Sequence, residues 1–156
     1  MSIPHSSKVF LTLAATFVLT ALVAGQSNPR FGKWKLKQDA PPPALNIMTY
    51  EPYGNGGMRV TVEATNTQGR TNKWTYVTMF DGKDEPVTGD TRTETTAVKK
   101  IDDRTNEIVN KRGGKVMQII TNVLSADGKR IDNTYQNFNE QGEKTTTTRA
   151  VYEKIE

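Results

Sequence analysis

The segment from residue 58 to residue 82 is the feature that most constrains the fold of this chain. Apolar and polar side chains alternate over residues 58 to 65, a turn containing Gly69 follows, and a second apolar run covers residues 74 to 80. Alternation with a period of two is typical of a β-strand that buries one face. Two such strands around a glycine turn form a hairpin. Because the chain beyond residue 32 repeats this pattern, the sequence predicts an all-β protein.

The spacing of the turns indicates the architecture. Short glycine-containing turns separate about 8 to 10 predicted strands, which indicates either an antiparallel up-and-down β-barrel or a β-sandwich. Successive short hairpins favour the barrel, because a sandwich usually needs Greek-key crossovers. We therefore expect one barrel domain over residues 32 to 156, preceded by a flexible lead over residues 26 to 31.

The N-terminal 25 residues have a different character. Residues 9 to 24 are apolar apart from three threonines, and Gly25 follows before Gln26. This pattern predicts a secretory signal peptide over residues 1 to 25 and a secreted or periplasmic mature protein. An uncleaved anchor is the alternative, although the apolar stretch of 16 residues is short for a span of about 20. After cleavage we expect no stable membrane span.

Composition excludes several kinds of chemistry. The chain has no cysteine, and its single histidine, His5, lies in the predicted signal peptide. The remaining chain therefore lacks thiolate and imidazole metal ligands as well as Ser–His and Cys–His nucleophile pairs. We expect no enzyme activity, no catalytic residue, no metal and no cofactor. The net charge of +4 is spread without long runs of one sign, so we expect no nucleic-acid partner.

Candidate ligand-binding residues lie on the predicted inner faces of the strands. Trp74, Tyr76 and Phe80 share one face of a strand, and Ile120 and Tyr135 lie among amide side chains on two later strands. Inside a barrel such residues form the wall of a ligand pocket. The alternative is ordinary core packing, since aromatic side chains dominate protein cores. The amides need hydrogen bonds to one another or to water.

A family resemblance rests on the first predicted strand. Gly32-Lys33-Trp34 resembles the Gly-x-Trp signature of lipocalins and the wider calycin barrels, and short pieces over most of the later chain resemble small secreted bacterial lipocalin-like proteins of uncharacterised function. The resemblance implies that Trp34 closes one barrel end beneath Arg149 of the last strand, while Gly32 allows a close backbone approach. The alternative is that Trp34 is an ordinary core residue and Arg149 a solvated charge.

Two functions of different classes follow from these features. The first is a non-enzymatic binding protein that holds a small amphipathic or apolar molecule in its barrel. The alternative is a filled barrel that acts as an interaction or structural module of the cell envelope and binds an unknown protein. An open cavity lined by Trp74, Tyr76 and Tyr135 would favour the first function, and a packed interior with an apolar outer patch would favour the second.

Overall fold

The described chain is a single antiparallel β-structure. A computed structural model describes residues 27–89 and 92–156, so the predicted signal peptide lies outside the described residues. The strands are β1 (Gly32–Leu36), β2 (Leu45–Tyr53), β3 (Gly57–Thr65), β4 (Thr71–Thr78), β5 (Asp81–Pro86), β6 (Thr95–Lys100), β7 (Thr105–Arg112), β8 (Lys115–Leu124), β9 (Arg130–Phe138) and β10 (Lys144–Lys154). No helix in the described ranges is long and apolar enough to cross a membrane.

The ten strands form one sheet in the order β4-β3-β2-β1-β10-β9-β8-β7-β6-β5. Strands that follow one another along the chain are neighbours, except β4 and β5, which form the two edges of the sheet, and β1 pairs with β10. This order is an up-and-down meander whose first and last strands meet, as closure of a barrel requires. The predicted all-β class and the antiparallel up-and-down barrel are confirmed.

The barrel nearly closes between β4 and β5. Thr75 and Thr88 exchange two backbone hydrogen bonds of 2.9 Å, which form an isolated bridge between the two edges. Gly89 follows with φ +95, and a Cβ at this position would collide with the carbonyl oxygen of Lys73. Only glycine tolerates both the positive φ and this close approach. The glycine therefore lets the segment after β5 reach β4.

The alternation of side chains determines which face of each strand is buried. On β3, Met58, Val60 and Val62 are buried inside the barrel, whereas Arg59 and Glu63 face solvent. The larger core cluster surrounds Trp34, and a smaller cluster consists of Val98, Ile108 and Ile120. We call the part of the barrel around Arg30, Trp34, Leu124 and Ile131 the closed end.

Trp34 seals the closed end. Its side chain has no exposed surface, and its Nε1–H donates a hydrogen bond of 2.8 Å to the carbonyl oxygen of Arg30. Gly32 has φ +126, and a Cβ there would collide with the carbonyl oxygen of Glu156. The N–H of Lys33 donates to the same oxygen at 3.1 Å. Glycine at position 32 therefore lets β1 lie against the chain beyond β10.

The cation over the Trp34 ring is Lys154 and not Arg149, which corrects the expectation from the resemblance. The Nζ of Lys154 lies 5.3 Å from the ring centroid, and the two residues are paired across β1 and β10. Arg149 is exposed and pairs with Thr134 on β9. Residues 149 and 154 are an odd number of positions apart, so their side chains leave opposite faces of the strand. The prediction failed because β10 continues to Lys154 before it meets the tryptophan.

The described part of the predicted flexible lead is also packed against the barrel. The N–H of Phe31 donates to the carbonyl oxygen of Asn28 at 3.0 Å, which forms a turn. Arg30 in this turn is only 3% exposed. Residues 27 to 31 therefore belong to the closed end, because the acceptors of the Arg30 side chain lie on the folded barrel.

Candidate ligand cavity

The barrel interior contains a cavity of about 460 Å³. Its lining extends from Tyr50 and Tyr152 on the side of the closed end to Asn46, Arg92 and Asn137 at the opposite strand ends, which we call the mouth. The wall between them is largely aliphatic and aromatic, from Met48, Val60, Val62, Trp74, Tyr76, Ile108, Met117 and Ile120. A volume of this size is typical of pockets for small molecules.

Four of the five sequence-predicted lining residues meet in this cavity. Trp74, Tyr76, Ile120 and Tyr135 all line it. Phe80 does not, and this part of the prediction is corrected: β4 ends at Thr78, Phe80 has φ +60, and its ring packs against both core clusters. The period of two no longer applies once the strand has ended.

Sequence reasoning missed several lining residues. Asn46, Tyr50 and Tyr152 contribute side chains to the cavity, and so does Arg92 from the loop after β5. Asn46 and Tyr50 have the same parity as Met48 on β2, so the alternation contained the signal for them. For Arg92 no periodic signal exists, because it lies outside the strands.

An amide ladder crosses one wall of the cavity. We define it as Thr96, Asn110, Gln118, Asn137 and Thr146, one residue from each of five adjacent strands. Thr96 donates to Asn110 at 2.8 Å, and Asn110 donates to Gln118 at 3.1 Å. Gln118 then donates to Asn137 at 2.8 Å, and Asn137 donates to the Thr146 hydroxyl at 3.0 Å. The ladder satisfies these polar groups within an otherwise apolar wall.

A second set of hydrogen bonds connects the closed end to the cavity, and we call it the Arg30 chain. The Nη1 of Arg30 donates to the Oδ1 of Asn122. The Nδ2 of Asn122 donates to the Oδ1 of Asn133 at 2.7 Å, and the Nδ2 of Asn133 donates to the hydroxyl of Tyr135 at 3.0 Å. The other terminal nitrogen, Nη2 of Arg30, donates to the backbone oxygen of Arg104.

The charge of Arg30 is buried among neutral acceptors. No ion pair in the described part of the chain includes it. Desolvation lowers the pKa of its guanidinium, and Tyr50 and Asp102 oppose this shift. Arginine nevertheless keeps its proton, because its ordinary pKa is above 12. The closed end of the barrel therefore holds a buried positive charge.

Three buried tyrosines of the cavity wall remain neutral at ordinary pH. Burial raises the pKa of Tyr50 to about 12, although the nearby Arg30 acts in the opposite direction. Burial also raises the pKa of Tyr76, and it raises the pKa of Tyr152 together with contributions from Tyr135. Neutral phenols can donate as well as accept hydrogen bonds. The cavity thus has hydroxyl donors on an aromatic wall.

The mouth has different polar groups. The Oδ1 of Asn46 is buried and has no hydrogen-bond partner among the described residues. An unsatisfied buried acceptor costs about 1 to 3 kcal/mol, and a donor on a bound molecule or a water would satisfy it. The Cζ of Arg92 lies 5.7 Å from the centroid of the Trp74 ring. Arg92 is the single charged side chain among the described residues that line the cavity.

The arrangement suits recognition by burial and hydrogen bonding. Within residues 27–89 and 92–156, no three His, Cys, Asp or Glu side chains are grouped so that they could hold a metal ion. No family model matches this chain, and no curated protein shows significant similarity to it. The geometry of the cavity is therefore the basis on which a function can be proposed.

Proposed function

We propose that this chain is a non-enzymatic binding protein that holds a small amphipathic or apolar molecule inside its barrel. The observation that carries the proposal is the cavity of about 460 Å³, with an aromatic and aliphatic wall. At its mouth lies the Oδ1 of Asn46, which has no hydrogen-bond partner among the described residues. Burial of apolar surface against this wall would supply affinity, and the few polar groups would orient the molecule. The cavity, and not the fold, points to this function, because a barrel fold by itself is compatible with many functions.

We also propose that the barrel is of the lipocalin-like, calycin type. The resemblance of Gly32-Lys33-Trp34 to the Gly-x-Trp signature supports this assignment. Two structural observations agree with it: Trp34 closes one barrel end, and β1 pairs with β10. An experimental structure with a bound molecule would test this assignment. A molecule inside the cavity would support the lipocalin-like type, and a molecule bound only on the outer surface would count against it.

The interaction module is the second candidate, and one observation favours it. In the described part of the chain, five large hydrophobic side chains are 37 to 53% exposed, namely Leu45, Tyr53, Met79, Ile101 and Ile155. A filled barrel would have to use such an outer surface for its function. The open interior lined by Trp74, Tyr76 and Tyr135 is the reason why we place the binding protein first.

Blocking the cavity tests the proposed function. Ile120 is buried against the cavity, and Thr121 is its exposed neighbour on β8. We expect native mass spectrometry of the protein purified from its own cells to detect a small molecule with the wild type and with Thr121→Trp, but not with Ile120→Trp, because the indole fills the site. Equal retention by both variants, with unchanged circular dichroism, would argue for a binding place outside the barrel.

We further propose that the protein is exported and acts outside the cytoplasm, in the periplasm or the medium. The support is the apolar segment over residues 9 to 24 and the small residue before Gln26, a pattern typical of a secretory signal peptide. N-terminal sequencing of protein from the envelope and the medium should find Gln26 or a close neighbour as the first residue. Exported protein that still begins with residues 1 to 25 would instead indicate an anchor.

A further inference from the structure

We propose that the cavity selects molecules whose inner end is a hydrogen-bond acceptor, such as a carbonyl or carboxylate oxygen, and that Tyr135 and Tyr152 receive this group. The inference rests on the proposed binding function and specifies which chemical end of the bound molecule lies deepest. It follows from the direction of the hydrogen bonds in the Arg30 chain.

The first step is the orientation of the two asparagines. A guanidinium has donors only, so the amide oxygen of Asn122 must face Arg30 and its amide nitrogen must face away. That nitrogen donates to the Oδ1 of Asn133 at 2.7 Å, which turns the nitrogen of Asn133 towards Tyr135. Amide orientation is often ambiguous, but here the arginine removes the ambiguity for the whole chain.

The second step concerns the hydroxyl protons. The Tyr135 oxygen accepts a hydrogen bond of 3.0 Å from Asn133. A phenol that accepts a hydrogen bond still has its own proton to donate. Tyr135 and Tyr152 both line the cavity, so this end of the cavity presents phenol donors to a bound molecule.

The third step is the charge behind this donor. Each bond of the Arg30 chain points in the same direction, with the donor nearer the arginine, and aligned hydrogen bonds polarise one another. The chain therefore carries the positive potential of a buried guanidinium, 3% exposed and without a carboxylate partner in the described ranges, towards Tyr135. A partial or full negative charge at the inner end of the molecule is favoured there, and an ammonium group is disfavoured.

The rest of the lining agrees with this choice. None of the described residues that line the cavity is an aspartate or a glutamate. A cationic group would lose its hydration in the cavity without a carboxylate to pair with, which is costly in a buried site. The apolar wall at Val60, Val62 and Ile108 suits the hydrocarbon part of the molecule.

Three probes with the same chain length test the inference by isothermal titration calorimetry. They are 2-decanone, a neutral acceptor, decanoate, an anionic acceptor, and decylammonium, a cationic donor. We expect the wild type to bind the ketone and the carboxylate at least tenfold more tightly than the ammonium. The neutral ketone is the decisive probe, because Arg92 at the mouth cannot form an ion pair with it.

Removing the hydroxyl that ends the chain provides the second arm. Tyr135→Phe should weaken binding of 2-decanone by about three- to tenfold, the effect of one net hydrogen bond, and leave binding of decylammonium unchanged. Tyr53→Phe is the matched control, because Tyr53 is exposed and does not line the cavity. In the wild type the infrared carbonyl stretch of labelled 2-decanone should shift to lower frequency on binding, a measurement that needs no variant.

Each outcome has a defined meaning. Equal affinity of the wild type for the ketone and the ammonium, or an unshifted carbonyl stretch of the bound ketone, overturns the inference and leaves the binding function in place. Failure of all three probes to bind counts against the proposed function itself, and the inference falls with it. A preference for 2-decanone and decanoate over decylammonium that is lost in Tyr135→Phe and kept in Tyr53→Phe supports both the inference and the proposed binding function.

Discussion

Replacement of Trp34 by alanine is expected to lower the free energy of unfolding by about 3 to 5 kcal/mol. The indole is completely buried in the larger core cluster, and its N–H satisfies the carbonyl oxygen of Arg30. Alanine would leave a cavity at the closed end and a carbonyl oxygen without its donor. Urea unfolding followed by far-ultraviolet circular dichroism measures the loss, because this signal does not depend on tryptophan fluorescence.

Trp74→Ala is the matched control for that experiment. Trp74 is the other tryptophan of the chain, and it is half-buried on the cavity wall. We expect Trp74→Ala to lower the free energy of unfolding by about 1 to 2 kcal/mol, because folding removes less apolar surface from water at this half-buried indole. If the two variants lost the same stability, Trp34 would not be the residue that seals the barrel.

A double-mutant cycle that includes Trp34→Ala identifies the cation that stacks on the Trp34 indole. Lys154→Met and Trp34→Ala should show a coupling of about 0.5 to 1 kcal/mol in a double-mutant cycle, because the lysine Nζ lies 5.3 Å from the ring centroid. Arg149→Met should show no coupling with Trp34→Ala. A measurable coupling to Arg149 alone would restore the arrangement that the lipocalin resemblance implies.

The second large effect is expected for Arg30→Met, with a loss of about 2 to 4 kcal/mol in the free energy of unfolding. Methionine fills much of the same space but donates no hydrogen bond. The buried Oδ1 of Asn122 therefore loses the guanidinium donor, and the backbone oxygen of Arg104 keeps only the N–H of Leu124. Removal of a desolvated charge offsets part of the cost. Thermal and urea unfolding of the purified variant measure the balance.

Arg104→Met is the control for this change. The Arg104 side chain is exposed, and only its backbone oxygen contacts Arg30. We therefore expect the free energy of unfolding of Arg104→Met to remain within about 0.5 kcal/mol of the wild-type value. An Arg30→Met protein as stable as Arg104→Met would show that the guanidinium does not hold the closed end together, and that its desolvation offsets its hydrogen bonds in full.

The sequence by itself determined the strands and their inner faces. Alternation on β3 placed Met58, Val60 and Val62 inside the barrel, and the same rule assigned Trp74, Tyr76, Ile120 and Tyr135 to the inner faces where the cavity lies. This succeeded because successive side chains of a strand point to opposite faces, a local property that depends on no distant contact. Phe80 also packs against both core clusters, but it follows the end of β4 with φ +60 and does not line the cavity.

The tertiary structure alone decided which residues meet across the barrel. The register between β1 and β10 placed Lys154 over Trp34 and left Arg149 in solvent. Burial of Arg30 against Asn122, a residue 92 positions away, likewise depends on the turn before β1 folding back onto the closed end. Strand register and closure are set by the sum of pairings along the whole sheet, so no local pattern encodes them. The cavity and the direction of its hydrogen bonds exist only once that closure has formed.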